Sequence, residues 1–287
     1  MTAAWEQARD IVVGVDPVRD WHLAVAWAAD EAHRRRLPLR LVLAVPPQHD
    51  TQHVDDTPRQ TALRRGGADR LEEVAAWVGD RHPEATVHTD LLGGFPAHVL
   101  LAQARHARLV VLGSRHLGGV AELFSGGSTV VPVTAQAACP VAVVGDAEHA
   151  TQRPAYLVVG IDGSAATTDA LTFAFDEADR RGAALRVVCV WQPPLFLLND
   201  EEVALKAQRF LLSEATAGLA DKYPDVRVTH EVLTGHPVEE LARAAEHALA
   251  LVVGRRGRGG YTGMRLGSVT HGLLHRAHCP VITVPTG

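Results

Sequence analysis

Short apolar runs alternate with longer segments of helical periodicity along the whole chain. In the second half, the strand-like runs fall near 156–161, 185–190, 227–233, 250–254 and 280–284. The segments with helical spacing fall near 166–181, 200–222, 238–248 and 268–276. This alternation predicts βαβ connections and therefore a parallel sheet.

Residues at the predicted helix ends support the same elements. Ser164 is of the type that caps a helix N-terminus, and Gly182 is of the type that ends one. Pro237 lies where the first turn of a helix tolerates proline.

The pattern occurs twice. Residues 10–45 resemble residues 156–191, and "AACPVAVV" (137–144) resembles "AHCPVITV" (277–284). Self-similarity of this kind indicates a tandem repeat. We therefore expect one domain at residues 1–147 and a second at 154–287. We expect 145–155 to be a linker and 46–60 to be an inserted polar loop.

Composition narrows the function classes. The chain has 287 residues, 47% hydrophobic and 21% charged, and a net charge of −5. That charge gives no basic field for nucleic acid, and no apolar run is long enough to cross a membrane. The polar N-terminus predicts no signal peptide, and three cysteines without paired spacing indicate reduced thiols in the cytoplasm.

The segment "GRRGRGGYTGMRLGS" (254–268) lies between a predicted strand and a predicted helix. Glycines there let a ligand approach the backbone, and the amides of a helix N-terminus bind anions. No acidic residue occurs in the segment, which favours an anionic ligand. The spacing matches neither a P-loop nor a dinucleotide fingerprint, and a plain tight turn is the alternative interpretation.

The spacing Gly254-x-x-Gly257-x(9)-Gly267-Ser268 resembles the ATP-binding signature of the universal stress protein family. Three further segments stand where that family has them: "VGIDGS" at 159–164, Gly-x-Pro at 235–237 and Cys-Pro-Val at 279–281. The resemblance covers both repeats, so the chain is identified as a tandem-domain member.

The resemblance implies two doubly wound, Rossmann-like α/β domains of the adenine nucleotide alpha hydrolase-like type. Each would hold a five-stranded parallel sheet in the order 3-2-1-4-5. Ligands of such sheets bind where the strand order reverses, here between strands 1 and 4. Asp162 and the glycine loop should therefore meet across one cleft.

The resemblance also implies roles for individual residues, with ATP as the ligand and ADP or AMP as alternatives. Backbone amides would hold the phosphates and ribose at Gly254, Gly257, Gly267, Ser268 and Val269. Asp162 would lie near the ribose or a phosphate-bound Mg²⁺, and Val190 would present main-chain groups to adenine. The corresponding positions in the first domain are Asp16, Val45, Gly113, Gly127 and Ser128.

The first domain has a degenerate motif. His116 replaces Gly257, and one extra residue separates it from Gly127. If this position requires a positive φ, a histidine there is strained. Pro17 also removes an amide that Gly163 supplies. We therefore expect the second domain to bind ATP more tightly than the first.

No set of catalytic residues accompanies the glycine loop. The sequence has no nearby lysine, no paired carboxylates and no nucleophile elbow, so we predict a binding protein rather than an enzyme. His271, His275 and His278 share a helix face, but we expect them to be solvated rather than to bind a metal. Three functions remain: an ATP-dependent regulator of stress or dormancy, a weak ATP hydrolase, and an interaction scaffold with structural nucleotide.

The apolar edge strands also predict an assembly. An unpaired apolar edge strand promotes aggregation, so we expect 140–144 and 280–284 to pair and form an intrachain pseudo-dimer. Association of two such chains into a homodimer is left open by the sequence.

Overall fold

The computed structural model describes residues 4–47, 57–114, 129–145, 149–192, 201–257 and 266–286. They divide into two compact units, the first containing the described residues up to 145 and the second those from 149. Each unit alternates strands with helices throughout, as the apolar pattern predicts.

The first unit begins with a short 3₁₀ turn at Ala4–Gln7. Its strands are β1 (Asp10–Gly14), β2 (Leu39–Val45), β3 (Val87–Gly93), β4 (Ala107–Ser114) and β5 (Val141–Gly145). Its helices are α1 (His22–Arg35), α2 (Thr57–Arg81), α3 (Pro96–Gln103) and α4 (Val130–Gln136).

The second unit repeats this order. Its strands are β6 (Tyr156–Ile161), β7 (Ala184–Trp191), β8 (Val228–Thr234), β9 (Leu251–Gly254) and β10 (Val281–Val284). Its helices are α5 (Ala165–Arg181), α6 (Glu201–Lys222), α7 (Pro237–Ala244) and α8 (Ser268–Arg276).

Each unit contains a parallel five-stranded sheet. In the first, the neighbouring strands run β3-β2-β1-β4-β5, and in the second β8-β7-β6-β9-β10. Both are the order 3-2-1-4-5, so the predicted doubly wound fold is confirmed. The order reverses between β1 and β4 in one unit and between β6 and β9 in the other.

The central strands are buried along most of their length because helices cover both faces of each sheet. Residues 107–112 of β4 are all buried, as are all four residues of β10. The outer strands β3 and β8 have the same mixed burial pattern, with three exposed positions each. Their more polar sequences follow from that exposure.

Most predicted bounds in the second half agree with the structure to within one residue, and the larger differences lie in α7, the polar loop and the linker. Helix α7 ends at Ala244, not at residue 248, and Leu249 donates a backbone hydrogen bond to Tyr156 at 2.8 Å. Helix α2 already includes residues 57–60 of the predicted polar loop, and residues 48–56 lie outside the described part. Within the predicted linker, the His149 ring contacts the Ala248 carbonyl at 2.9 Å. That end of the segment is therefore packed on the second unit.

In the described part of the chain, no helix has both the length and the apolar character that crossing a bilayer requires.

Candidate functional site

The two segments singled out in the second half of the sequence meet at the carboxyl ends of β6 and β9. Asp162 directly follows β6, and Gly257 follows β9 by three residues. A Cβ atom on Gly257 would collide with Oδ2 of Asp162. The aspartate carboxylate and the start of the glycine loop are therefore in contact, at the point where the strand order reverses.

The loop after β6 fixes the orientation of Asp162. Its Oδ1 accepts hydrogen bonds from the backbone N–H of Ser164 at 2.9 Å and from the hydroxyl of Thr167 at 3.0 Å. Gly163 between them has a φ of +74°, a conformation that glycine adopts without steric cost. With Oδ1 engaged in this way, Oδ2 is the carboxylate oxygen that faces Gly257.

The start of α8 is anchored to the end of β9. The N–H of Gly267 donates to the Arg255 carbonyl at 3.0 Å, and the Thr270 hydroxyl donates to the Gly254 carbonyl at 2.9 Å. The N–H of Arg255 in turn donates to Val284 of β10 at 2.8 Å. These bonds hold the helix N-terminus over the cleft, although residues 258–265 lie outside the described part.

Helix α8 begins at Ser268, and Val269 is its second residue. The first amide of the helix to bond within it is that of His271, which donates to Gly267 at 2.9 Å. The amides of residues 268–270 precede it and have no intrahelical acceptor, and the helix dipole adds partial positive charge there. An anion at this end of the cleft would be favoured.

Two details of the structure bear on the roles predicted for Gly267 and Gly257, which stay predictions. The N–H of Gly267 already donates to Arg255, so in this conformation it is not a donor for phosphate. Gly257 does not have a left-handed φ, so backbone freedom does not explain the glycine. The reason at Gly257 is space, because a side chain there would displace the Asp162 carboxylate.

Arginines supply the positive charge next to this site. Arg255 is half-buried and Arg256 is exposed, while Arg258 lies outside the described residues. Burial, followed by repulsion from Arg256, lowers the pKa of the Arg255 guanidinium from its ordinary value. That ordinary value is so high that the side chain stays charged at neutral pH.

The two residues predicted to present main-chain groups to adenine, Val45 and Val190, are shifted in register relative to each other. Gly14 pairs with Val42 in the first sheet as Gly160 pairs with Val188 in the second. By this register, the counterpart of Val45 is Trp191. The counterpart of Val190 is residue 44, so Val45 and Val190 do not occupy equivalent positions.

The first unit has a cleft of about 390 Å³ at the same place. Its lining includes Gly14, Asp16, Arg19, Asp20, Trp21, Leu23, Ala24, Gly113, Ser114, Val144 and Gly145. Its volume lies within the range of small-molecule sites. Asp16 and Gly113 are therefore brought together as predicted, whereas Gly127 and Ser128 lie outside the described residues.

Sequence reasoning missed the two threonines that organise the second cleft. Thr167 is only 6% exposed and Thr270 only 4%, and both hydroxyls bond to groups at strand ends. The sequence could have identified Thr167 by its position, since it places a hydroxyl five residues after the aspartate that follows the strand. The expectation of solvated histidines is wrong in part, since His271 and His275 are half-buried and only His278 is exposed.

Two doubly wound α/β units, each with a cleft at the reversal of strand order, define a tandem protein of the Rossmann-like class. The model of the universal stress protein family matches residues 7–145 and 156–285. The chain therefore belongs to the universal stress protein family, in a tandem-domain form.

Individual relatives agree with this family. A universal stress protein of Mycolicibacterium smegmatis is 35% identical over 286 residues, which cover 96% of each chain. One from Mycobacterium tuberculosis is 35% identical over 289 residues and 95% of each chain. A solved universal stress protein from Archaeoglobus fulgidus shares the fold, with a TM-score of 0.73 at 15% identity over 99% of this chain and 98% of the other.

Proposed function

We propose that the protein is an ATP-binding regulator of stress or dormancy responses, with its principal nucleotide site in the second unit. The observation that carries this proposal is the contact between Asp162 and Gly257 beside the N-terminus of α8. Amide donors and a helix dipole lie at the cleft, Arg255 adds positive charge next to it, and Gly257 leaves the loop backbone without a side chain. That combination suits a polyphosphate more than a neutral ligand.

A divalent cation fits the same cleft. The Oδ2 of Asp162 faces the loop expected to hold the phosphates, and two anionic groups there would repel each other. Mg²⁺ is commonly bound by one or two carboxylates together with substrate phosphates. We therefore propose that the nucleotide binds with Mg²⁺ and that Asp162 contacts the ion directly or through water.

Bound-nucleotide analysis tests this function against its two alternatives. The purified chain would be denatured and its nucleotide identified by chromatography, before and after incubation with Mg²⁺. Retained ATP supports the regulator. Conversion to ADP or AMP would identify a weak hydrolase, and a folded chain that neither carries nor takes up nucleotide would leave the scaffold function.

We further propose that the apolar edge strands of the two repeats pair within one chain. The proposal rests on the sequences at 140–144 and 280–284, which are both apolar. Among chains that combine one cysteine at 140–144 with one at 280–284, at least one should then form an intramolecular disulfide under mild oxidation. Crosslinks only between chains would indicate a homodimer instead, and no crosslink in any of them would contradict both arrangements.

The proposed compartment is the cytoplasm. Cys139, Cys189 and Cys279 are all buried and unpaired with one another. Burial raises the pKa of the Cys139 and Cys279 thiols to about 12, which keeps them protonated and unreactive. Free thiols of this kind are compatible with a reducing compartment.

A further inference from the structure

A cluster of metal-ligating side chains lies in the first unit, away from its cleft. His33 is near the C-terminus of α1, and His82 and Glu84 follow the end of α2. In a βαβ unit these helix ends lie at the amino ends of the strands, whereas the cleft is at their carboxyl ends. The cluster is therefore independent of the proposed nucleotide site.

The donor atoms of the three side chains converge. One ligand atom from each lies within 4.8 Å of the others. Nδ1 of His33 is 2.8 Å from Oε1 of Glu84, and Nδ1 of His82 is 3.8 Å from the same oxygen. Ligands at about 2.0–2.1 Å from a tetrahedral ion are separated by similar distances, so only small movements are needed to surround one cation.

A fourth residue orients the more buried histidine. Nε2 of His82 lies 2.8 Å from Oδ1 of Asp30, and the two Asp30 oxygens each accept a bond of 2.9 Å from Arg81. With Nε2 bonded to Asp30, Nδ1 is the nitrogen of His82 that faces Glu84 and is placed to bind a cation. Carboxylates in this outer position are typical partners of metal-ligating histidines.

His33 must adjust on binding. Its ring is stacked on that of His82, with centroids 4.8 Å apart and an interplanar angle of 18°. Rings so nearly parallel cannot both point their lone pairs at one ion, so one ring has to tilt. The side chain of His33 is 52% exposed and can rotate, and a neutral His33 that binds the ion through Nδ1 carries its single ring proton on Nε2.

The second unit provides an internal comparison. By the register of the repeats, the positions of His33, His82 and Glu84 correspond to Asp179, Tyr223 and Asp225. The same helix ends pack in both units, so the fold does not require histidines there. Two imidazoles and a carboxylate are, however, the ligand set that binds zinc in many proteins.

We propose that His33, His82 and Glu84 form a Zn²⁺ site in the first unit, with Asp30 positioning His82 and a water molecule completing the tetrahedron. Equilibrium dialysis of the full chain against Zn²⁺, followed by metal analysis, tests the site. Wild type should bind one Zn²⁺ per chain at micromolar free metal. Co²⁺ in its place should give the visible absorption of a tetrahedral ion.

Variants locate the site. His33→Asn combined with His82→Asn should abolish this binding, and Glu84→Gln, at an exposed residue, should weaken it without affecting the fold. Asp30→Asn should weaken it about 10- to 100-fold. The matched controls are His88→Asn, an exposed histidine of the same unit, and His271→Asn in the second unit. Neither should alter the stoichiometry.

Two results would overturn the site. One is wild-type protein that binds less than one Zn²⁺ per chain under these conditions. The other is a double variant that retains the tight ion while His271→Asn loses it. If the double variant is misfolded by circular dichroism, the result for Glu84→Gln decides, because unchanged Zn²⁺ affinity in that variant would contradict the proposal.

Discussion

The segments that follow the first strand of each unit align without insertion or deletion, but the next helix starts at different positions in the two units. In the second unit α5 begins at Ala165, three residues after Asp162. In the first unit α1 begins at His22, six residues after Asp16. The helix of the second unit therefore starts almost one turn closer to the strand end.

The difference follows from two substitutions. Gly163 takes a φ of +74°, which the ring of Pro17 cannot adopt at the equivalent position. In the first unit Asp20, one residue before the N-cap Trp21, accepts a hydrogen bond from the N–H of His22 at 2.9 Å at the start of the delayed helix. That backbone hydrogen bond, together with the His22 ring, lowers the pKa of Asp20 and keeps it charged.

The consequence is a difference in the arrangement of charges at the cleft. The first cleft is lined by Asp16 and Asp20, with Arg19 only 3.7 Å from Asp16 as a partial counter-charge. In the second unit residue 166, an alanine, stands at the position of Asp20. The first cleft thus carries one more carboxylate and, because residue 165 is also an alanine, one more arginine, so this loop changes the arrangement of the charges without changing their sum.

The largest effect is expected from Gly257→Val. The added side chain would collide with Oδ2 of Asp162 and occupy the loop's ligand-facing surface, so ATP affinity of the second unit should fall at least about 100-fold. Calorimetric titration with ATP and Mg²⁺ measures it. Gly218→Val is the control, because a Cβ at this helix position meets nothing within 4 Å. Equal affinities in the two variants would show that the loop is not the site.

Gly163→Pro introduces into the second unit the proline that the first unit has at the equivalent position, Pro17. Proline cannot take the φ of +74°, so the loop and the start of α5 should rearrange and ATP affinity should fall about tenfold or more. Gly163→Ala keeps the N–H and should have a smaller effect. The reciprocal Pro17→Gly should not weaken the first site. Wild-type affinity in Gly163→Pro would mean that this loop does not distinguish the units.

Within the wild-type chain, we expect the second unit to bind ATP about tenfold more tightly than the first. Titrations of the chain and of Gly257→Val and Ser128→Ala separate the two sites. Gly257→Val should remove the tighter phase, and Ser128→Ala should affect only the weaker one. The reverse pattern would assign the main site to the first unit.

Thr167→Val tests the hydroxyl that holds Asp162. The hydrogen bond is worth about 1 kcal/mol, so its loss should reduce affinity for ATP with Mg²⁺ about fivefold. Trp21 stands at this position in the first unit, which has no such hydroxyl. Thr168→Val, at the exposed neighbouring threonine, is the matched control. If Thr167→Val binds with wild-type affinity, the orientation of Asp162 by this hydroxyl does not explain the difference between the units.

The sequence was sufficient for the fold because each strand and helix has its own periodicity and the pattern occurs twice. It was also sufficient to predict that Asp162 and Gly257 lie at one cleft, since both follow strands adjacent to the reversal of strand order. It did not reveal why Gly257 is glycine or that the Gly267 amide is occupied, because both depend on contacts across the cleft. The one-residue shift between Val45 and Val190 could be found only from the pairing of neighbouring strands in the structure.

The smallest expected effect concerns an arginine that both units place on their second strand. Arg40 bridges Asp10 and Asp90 at 2.7 and 2.9 Å, whereas Arg186 bonds Glu231 through two nitrogens at 2.7 Å each. Hydrogen bonding from Arg186 lowers the pKa of Glu231 despite the opposing effect of partial burial.

A lowered folded-state pKa stabilises the protein above the ordinary glutamate pKa, and this stabilisation is lost as the pH falls through the folded-state value. Both side chains are about 30% exposed, so the contribution of the Arg186–Glu231 pair should be at most about 1 kcal/mol. Glu231→Gln should therefore lower the urea midpoint slightly at pH 7 and reduce its further fall on going to pH 3.5. Glu246→Gln, at an exposed residue of the same unit, should leave both midpoints unchanged. If Glu231→Gln retains the full acid dependence of wild type, the pair does not contribute to stability, and the two arginines differ in geometry alone.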